Sequence, residues 1–427
     1  MHRGNASNTA ATDADLPSSV RERWRFDADA GPLTEPAVVD GTVYVGSGDG
    51  HLYAIDSATG ERRWRFGTGD AVRSTPAVVD GTVYVGSDDA TFYALAAADG
   101  SERWRATFDQ RVRASPTVVD GAVYVGGVDR NVYAFDAATG DERWAVRTDD
   151  SVVASPAVVD GTVYAVTESG TVYALDADSG QEYWDENLTG TATSPPVVAG
   201  ETIYVSSAPD RVFALTTAGD RSWAATAATG STTASPAMAV TDDTLAVPGS
   251  EGLVHLFDPD TGEKRYRFNA GLGSRSPVFA GGLLCIAAER TVQAIDPVTS
   301  ARRWSVTLDP RTRPELAVAD GTVYAAGENG TLYALADPSR SESTPTRTPT
   351  ETPASTRTST PTPTPTPTGT TPAGDGSSPT PSPTPTRTAD DPTETATGVP
   401  ATDAGSTSSG GGLALVALLG GIGSALL

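Results

Sequence analysis

The sequence predicts an all-β fold, an eight-bladed β-propeller, from three observations. An aromatic residue recurs about every 40 residues, a proline recurs in step with it, and no stretch keeps the 3.6-residue periodicity of a helix. The aromatic positions are Trp24, Trp64, Trp104, Trp144, Trp184, Trp223, Tyr266 and Trp304. The prolines are Pro36, Pro76, Pro116, Pro156, Pro196, Pro236, Pro277 and Pro314.

A single repeat, starting at Ser74, contains four predicted strands. PAVV is a short apolar strand, and Asp80-Gly81 forms a two-residue hairpin turn because both residue types tolerate positive φ. TVYVGS alternates β-branched and aromatic residues and is the second strand. TFYALA and ERWRAT are the third and fourth strands. Four short antiparallel strands in about 40 residues are typical of a propeller blade.

The two ends of the array are incomplete in a complementary way. The last repeat, from Arg313, supplies three strands only, whereas VRERWRFDAD at 20–29 is a fourth strand without the other three. We expect the Trp24 strand to pair beside Thr331–Leu335 and to complete blade eight. Such pairing closes the ring and covers a sheet edge that would otherwise be exposed.

Composition divides the chain into four regions. Residues 1–19 form a polar tail, 20–340 form the propeller, and 341–410 are rich in Thr, Pro and Ser. Residues 341–410 are predicted to form a disordered, extended stalk. Residues 411–427 are apolar and uncharged, which favours a membrane anchor or a processed sorting tail over a disordered apolar tail.

Localisation and partners follow in part from composition. Residues 1–19 contain no apolar signal segment, so the chain is either cytoplasmic or has its signal elsewhere. The stalk and apolar tail favour an extracytoplasmic protein tethered by its C-terminus. The net charge of -24, with Lys264 as the single lysine, indicates a salt-adapted (halophilic) surface or an ordinary acidic extracellular protein. An acidic surface repels phosphate, so no nucleic acid is expected as a partner.

The segment between the third and fourth strands carries a recurring motif. It runs Ala54-x-Asp56-x-x-Thr59-Gly60-Glu61-x-x-Trp64, and it returns at 134–144 and 174–184. This motif resembles the tryptophan-docking motif of the PQQ (pyrroloquinoline-quinone) repeat family. The resemblance implies that each tryptophan packs between neighbouring blades, where the small Ala and Gly leave it room. Four positions depart from the motif and imply weakened joints: Ala96, Leu256, Tyr266 and Ser300.

The resemblance leaves the function open, because the family contains quinoprotein dehydrogenases and non-catalytic propellers that scaffold outer-membrane protein assembly. The dehydrogenases carry an adjacent cysteine pair and long insertions around calcium and quinone. Cys285 is alone here, in the apolar run LLCIAA typical of a buried strand, and the repeats are short. The D-x-D-x-G segments at 176–182 and 258–264 lack the other spacings of a calcium loop. We therefore expect no cofactor, no metal and no enzymatic activity.

Two sets of candidate site residues remain. Arginines just before the blade-opening prolines could bind a carboxylate or a sulfated glycan: Arg73, Arg113, Arg275 and Arg313. Alternatively, these arginines pair with acids in the turns between strands two and three, such as Asp49, Asp88 and Asp129. The Asn-x-Ser/Thr sequences at Asn5, Asn187 and Asn329 are glycosylation acceptors if the protein is exported.

The expected function is a monomeric, non-catalytic binding or scaffolding propeller at the cell surface. Its partner would be a protein, peptide or glycan bound at the funnel face, the face of the ring that carries the loops before strand one and between strands two and three. The alternatives are a quinone- and calcium-dependent dehydrogenase with a reduced pocket, or a surface sensor or structural module.

Overall fold

A computed structural model describes residues 5–12, 14–209, 211–227, 237–249, 252–272, 275–309, 312 and 314–339. These residues belong to one compact unit that spans Met1–Thr346. The predicted stalk, the apolar C-terminal segment and Arg313 lie outside them. The described residues form strands and connecting turns, and none of them forms a helix long and apolar enough to cross a membrane.

The described strands form eight sheets, one per blade; seven of them have four strands, and the first N-terminal strand adds a fifth to the sheet of the seventh blade. The N-terminal strands are β1 (Ala11–Thr12) and β2 (Arg21–Asp27). Blade 1 contains β3 (Ala37–Val39), β4 (Thr42–Gly46), β5 (His51–Asp56) and β6 (Arg62–Gly67). Blade 2 contains β7 (Ala77–Val79), β8 (Thr82–Gly86), β9 (Thr91–Ala96) and β10 (Glu102–Thr107). Blade 3 contains β11 (Thr117–Val119), β12 (Ala122–Gly126), β13 (Asn131–Asp136) and β14 (Glu142–Arg147).

The remaining blades repeat this order. Blade 4 contains β15 (Ala157–Val159), β16 (Thr162–Val166), β17 (Thr171–Asp176) and β18 (Glu182–Asn187). Blade 5 contains β19 (Val197–Ala199), β20 (Thr202–Ser207), β21 (Arg211–Thr216) and β22 (Arg221–Thr226). Blade 6 contains β23 (Ala239–Val240), β24 (Leu245–Pro248), β25 (Leu253–Phe257) and β26 (Lys264–Asn269). Blade 7 contains β27 (Arg275–Ala280), β28 (Leu283–Ala288), β29 (Thr291–Ile295) and β30 (Arg302–Thr307). Blade 8 contains β31 (Glu315–Ala319), β32 (Thr322–Ala326) and β33 (Thr331–Ala336).

The turn chemistry read from the sequence is present in the blades. In the hairpin between β7 and β8, Asp80 has φ 48° and Gly81 has φ 68°, as the predicted two-residue turn requires. The second strand β8 is buried along its whole length, whereas β10 alternates between exposed and buried positions. The inner strands therefore form the core, and the outermost strand of the blade faces solvent on one side.

The ring closes as the sequence predicted. Strand β2 pairs antiparallel with β33, Trp24 lies opposite Ala334, and the sheet order β2-β33-β32-β31 makes blade 8 complete. The innermost strands contact one another around the axis, and β3 touches both β7 and β31. The eight-bladed, all-β architecture is thus confirmed.

Residues 5–12 pair with the inner strands of the propeller, although the sequence predicted residues 1–19 to be a polar tail. Strand β1 pairs in parallel with β27 of blade 7, so that Ala11 lies opposite Phe279. Residues 5–10 continue along the innermost strands of the neighbouring blades. The physical reason is that an innermost strand of a propeller has a free edge, and backbone groups of a small-residue segment can pair with it.

Candidate functional site

Six of the eight joints between blades are built on the same contact. The indole Nε1 of each tryptophan donates to a backbone carbonyl in the turn of the next blade; Trp104 reaches the Ala137 oxygen at 3.0 Å. The other five bonds are Trp24 to Ser57, Trp64 to Ala97, Trp144 to Ala177, Trp184 to Thr217 and Trp223 to Pro259. The docking role that the sequence assigned to these residues therefore has a direct geometric basis.

A tyrosine from the same blade supports each docked tryptophan. The Tyr84 and Trp104 rings lie 5.9 Å apart, and the Tyr84 hydroxyl donates to the same Ala137 carbonyl at 2.9 Å. The glycine of the next turn gives the indole its space. A Cβ added to Gly140 would lie 2.6 Å from the Trp104 ring, which is closer than real Cβ atoms come to a neighbour.

The joint between blades 6 and 7 is different in all four positions. Tyr266 stands where the tryptophan would be, and its side chain is 51% exposed. Ser300 replaces the turn glycine, Leu256 replaces the small alanine, and Ala246 takes the place of the supporting tyrosine. Because Ser300 carries a Cβ, an indole could not fit against this turn. Tyr266, predicted as a docking residue in a weakened joint, is largely undocked.

The joint between blades 7 and 8 is completed by the N-terminal segment. Blade 8 has no continuous turn between its third and fourth strands, because β33 and β2 come from opposite ends of the propeller sequence. The Nε1 of Trp304 donates instead to the Pro17 carbonyl at 2.9 Å. Leu16 and Val20 pack against the same core cluster as Trp304. The segment before β2 thus supplies the docking carbonyl that the broken turn lacks.

Residues 5–12 line the axis of the propeller and bind four blades in succession. The carbonyls of Ala6, Ser7, Thr9 and Ala10 accept from the N–H groups of Val158, Val198, Val240 and Phe279, each at 2.9 Å. These donors belong to the innermost strands of blades 4, 5, 6 and 7. The segment therefore pairs with one free N–H group in each of these four blades.

Asn8 is the polar anchor of this segment and is fully buried. Its Nδ2 lies 3.2 Å from the carbonyls of Pro156 and Pro196 and 3.4 Å from that of Ser155. Asn8 and Ala10 have φ of 56° and 52°, which turn the chain from one blade to the next. A carboxamide suits this place, because it supplies N–H donors where backbone carbonyls from two blades converge.

An open sector of the channel remains beside this segment. We define the open sector as the cavity of about 220 Å³ between Ala10–Thr12 and the innermost strands of blades 8 and 1. Pro36 to Val39 and Leu316 to Ala319 form most of its wall, with Glu35 and Val278. None of these described lining residues is aromatic, so the sector offers small apolar side chains and backbone groups.

Two of the four candidate arginines are engaged with one carboxylate. Arg73 Nε lies 2.9 Å from Asp88 Oδ2, and Arg113 Nε lies 2.8 Å from Asp88 Oδ1. Burial of Asp88 opposes its ionisation, yet the hydrogen bonds from Arg113 and Arg73 hold its pKa below the usual value. The predicted alternative, pairing with a turn acid, is what the structure has for these two arginines. The Arg275 side chain and Arg313 lie outside the described residues.

The predicted glycosylation acceptors fall into two classes. Asn187 and Asn329 are exposed, and the Asn187 Nδ2 donates to Thr171 Oγ1 at 2.8 Å. Asn5 is only partly exposed, and its Nδ2 donates to Thr9 Oγ1 at 2.6 Å within the axial segment. Asn187 and Asn329 are thus the more accessible acceptors, whereas a glycan at Asn5 would disturb the axial segment.

The other reactive side chains are core residues. Cys285 is fully buried opposite Ala294, which in turn lies opposite Trp304, and it holds the position of the supporting tyrosine in other blades. Burial raises the pKa of its thiol to about 12, so it is not a nucleophile at neutral pH. His255 is buried with no partner for either ring nitrogen among the described residues. Burial lowers its pKa to about 4.

The described residues offer no ligand set for the calcium that the resemblance to the dehydrogenases implies. They contain no group of three or more His, Cys, Asp or Glu side chains that could hold a metal ion. The axis is lined by the protein's own residues 5–12, and Cys285 has no second cysteine with which to form a disulfide.

The fold and its tryptophan joints together define a propeller of the PQQ-repeat class. The chain belongs to this family, since the family model described as "Outer membrane protein assembly factor BamB" matches residues 16–75, 58–155, 132–271 and 250–343. Among curated proteins, none matches the sequence significantly.

Solved structures similar to this chain include an enzyme, a BamB protein and a designed protein. The quinohemoprotein alcohol dehydrogenase from Comamonas testosteroni is 16% identical with a TM-score of 0.68, covering 77% of this chain and 79% of its own. BamB from Moraxella catarrhalis is 17% identical with a TM-score of 0.53, covering 76% and 99%. The computationally designed Ika8 protein is 17% identical with a TM-score of 0.64, covering 73% and 98%. At these identities the likeness concerns the fold.

Sequence reasoning missed the axial segment because its signal is weak. NASNTAAT contains no apolar periodicity, and the atoms that bind the blades are mostly backbone carbonyls, which every residue has. The small size of the side chains was the available clue, because only small residues can approach several innermost strands at once.

Proposed function

We propose that this protein is a non-catalytic binding or scaffolding propeller that acts at the cell surface. The partner is a protein, peptide or glycan that binds at the funnel face around the axis. The propeller works as a monomer, held outside the cytoplasm by its C-terminal region. No quinone or metal is needed for this role.

The axial segment is the observation that carries the proposal. The inner surface of the ring already binds a stretch of polypeptide, through Asn8 and four backbone carbonyls. This is recognition chemistry, which uses hydrogen bonds and shape and requires no reactive group. Cys285 and His255 have side chains that could act as nucleophiles, but both are buried in the core and out of reach of a substrate.

The membership of the BamB-described family supports the same proposal at a coarser level. That description names an assembly factor, and a scaffold for other proteins is the corresponding role here. The Thr/Pro-rich region and the apolar residues at 411–427 support a tethered propeller that stands away from a membrane.

A titration of the full chain with pyrroloquinoline quinone and calcium tests the non-catalytic part. We expect no change in quinone absorbance and no dye-linked oxidation of alcohols. Saturable quinone binding together with alcohol oxidation would replace the proposal by the dehydrogenase alternative, which the fold of the Comamonas enzyme favours.

Membrane fractionation of the source cells tests the surface part. We expect the chain in the membrane fraction, accessible to a protease added outside intact cells. A predominantly soluble, protease-protected pool would contradict the proposed localisation.

A further inference from the structure

The open sector has the same backbone groups as the part of the axis that residues 5–12 occupy. Val158 and Val198 donate to the axial segment, and each lies one residue before the end of its inner strand. Val38 of β3 and Val318 of β31 hold this same register, opposite Val43 and Val323. In a two-residue hairpin this position leaves the N–H group pointing away from the ladder.

These two N–H groups have no backbone acceptor outside the sheet ladders among the described residues. Val38 and Val318 also line the cavity of about 220 Å³, so both groups border space that a ligand could enter. An occupant that offers backbone carbonyl oxygens would satisfy them, as Ala6 and Ser7 do for Val158 and Val198.

The lining chemistry selects among possible occupants. The wall consists mainly of Ala, Val, Leu and Pro side chains, without an aromatic platform on which a sugar ring could stack. An apolar small molecule would leave the Val38 and Val318 donors unpaired, which carries an energetic cost. A polypeptide with small side chains meets both requirements, because it brings carbonyls and fits a narrow space.

We propose that the open sector is a binding site for a segment of a partner protein, one with small side chains and a central asparagine. Residues 5–12 are the internal counterpart of that ligand. Pro36 occupies in blade 1 the position at which the Pro156 carbonyl accepts from Asn8 in blade 4, so the carboxamide contact can be repeated. This inference rests on the proposed partner-binding role and specifies its ligand.

The test uses the full chain and a fluorescent synthetic peptide with the sequence of residues 5–12, NASNTAAT. We expect saturable one-to-one binding by fluorescence anisotropy. Replacing the second asparagine of the peptide by leucine should weaken binding at least about tenfold, and a scrambled peptide should not bind. Absence of binding to the full chain, or equal binding of all three peptides, would overturn the proposal.

A pair of substitutions assigns the binding to the open sector. Ala317→Phe fills the cavity and should weaken peptide binding at least about tenfold, whereas Val298→Phe adds the same ring at a side chain that is 73% exposed and should have no effect. Both variants are checked by thermal unfolding. The peptide variants keep the proposal testable on the unchanged chain if Ala317→Phe does not fold.

Two further outcomes would overturn the site or its occupant. If the peptide binds only after residues 1–12 are removed, it occupies the vacated place of the axial segment, and the open sector is not a site. If the chain self-associates at high concentration and Ala317→Phe prevents this, the occupant is a second copy. Failure of the peptide experiments leaves the quinone titration unaffected, so the two proposals fail separately.

Discussion

The six regular joints of the ring and the joint between blades 6 and 7 reach the same blade geometry with different chemistry. At a regular joint the ring of Trp104 lies against Gly140 and donates to the Ala137 carbonyl. At the irregular joint, Tyr266 is mostly exposed and Ser300 has φ 57° at the glycine position. The difference shows that the motif residues form a matched set, in which the tryptophan and the turn glycine occur together. A Cβ in the turn and an indole packed against it exclude each other.

The joint between blades 7 and 8 shows a third arrangement. Here the tryptophan is kept, but its carbonyl comes from Pro17, a residue distant in the sequence. The closing strand β2 and the docking carbonyl thus lie in one continuous piece of chain, and both close the ring. The three kinds of joint should therefore differ in how much stability the propeller loses when each is disrupted.

Deletion of residues 20–29 should have the largest effect. It removes the fourth strand of blade 8 and Trp24, and it leaves the edge of β33 without a partner. We expect a loss larger than the about 3–5 kcal/mol typical of removing one buried tryptophan. Denaturant unfolding of the truncated and full chains measures it; an unchanged midpoint would disprove closure by this strand.

Replacing a single docking tryptophan should cost somewhat less. Trp104→Ala removes a buried ring and the bond to Ala137, so we expect a loss of about 3–5 kcal/mol in the free energy of unfolding. The matched change Tyr266→Ala, at the irregular joint, should cost less than about 1 kcal/mol because that ring is exposed. Similar losses in the two variants would mean that Tyr266 is docked after all.

The asparagine of the axial segment should contribute an intermediate amount. Asn8→Ala leaves the Ser155, Pro156 and Pro196 carbonyls without the carboxamide donor, which we expect to cost about 1–3 kcal/mol. The control Thr12→Ser changes a partly exposed residue of the same segment, keeps the hydroxyl that accepts from the Ala14 N–H, and should be nearly neutral. Chemical unfolding measures the loss of stability in both variants. Equal stability of Asn8→Ala and the parent would contradict the anchoring role.

The sequence was sufficient for the ring and insufficient for its axis. Repeated Trp, Pro and Asp-Gly positions predicted eight blades, their strands and the pairing of Trp24 with the last blade, because each depends on local pattern. Residues 5–12 escaped prediction because they bind through backbone atoms. For Arg73 and Arg113 the sequence left two alternatives, a ligand or a turn acid such as Asp88, because the pattern of residues alone does not show which side chains meet.

The matched-set interpretation predicts coupling at the irregular joint. Tyr266→Trp alone should gain nothing, since the Ser300 Cβ blocks docking; Ser300→Gly alone should be nearly neutral. The double variant should be more stable than the sum of the single changes by about 0.5–2 kcal/mol. A double-mutant cycle in denaturant measures this coupling, and strict additivity would show that Leu256 or Ala246 controls the joint instead.

The turn aspartate should have the smallest effect, visible only in acid. Asp136 accepts from Arg143 and from the N–H groups of Thr139 and Ala138, which together lower its pKa to about 2. The folded pKa is depressed below the unfolded value of about 3.9, so the stabilisation is complete above that value and is lost as pH falls through about 2. Asp136→Ala should therefore unfold with a shallower pH dependence between these values. Blade 2 carries Ala96 at this position, so the control Ala96→Ser should lose stability in acid with the same pH dependence as the parent. The same pH dependence of stability in acid for the parent and Asp136→Ala would show that the hydrogen bonds of this turn add nothing to folding.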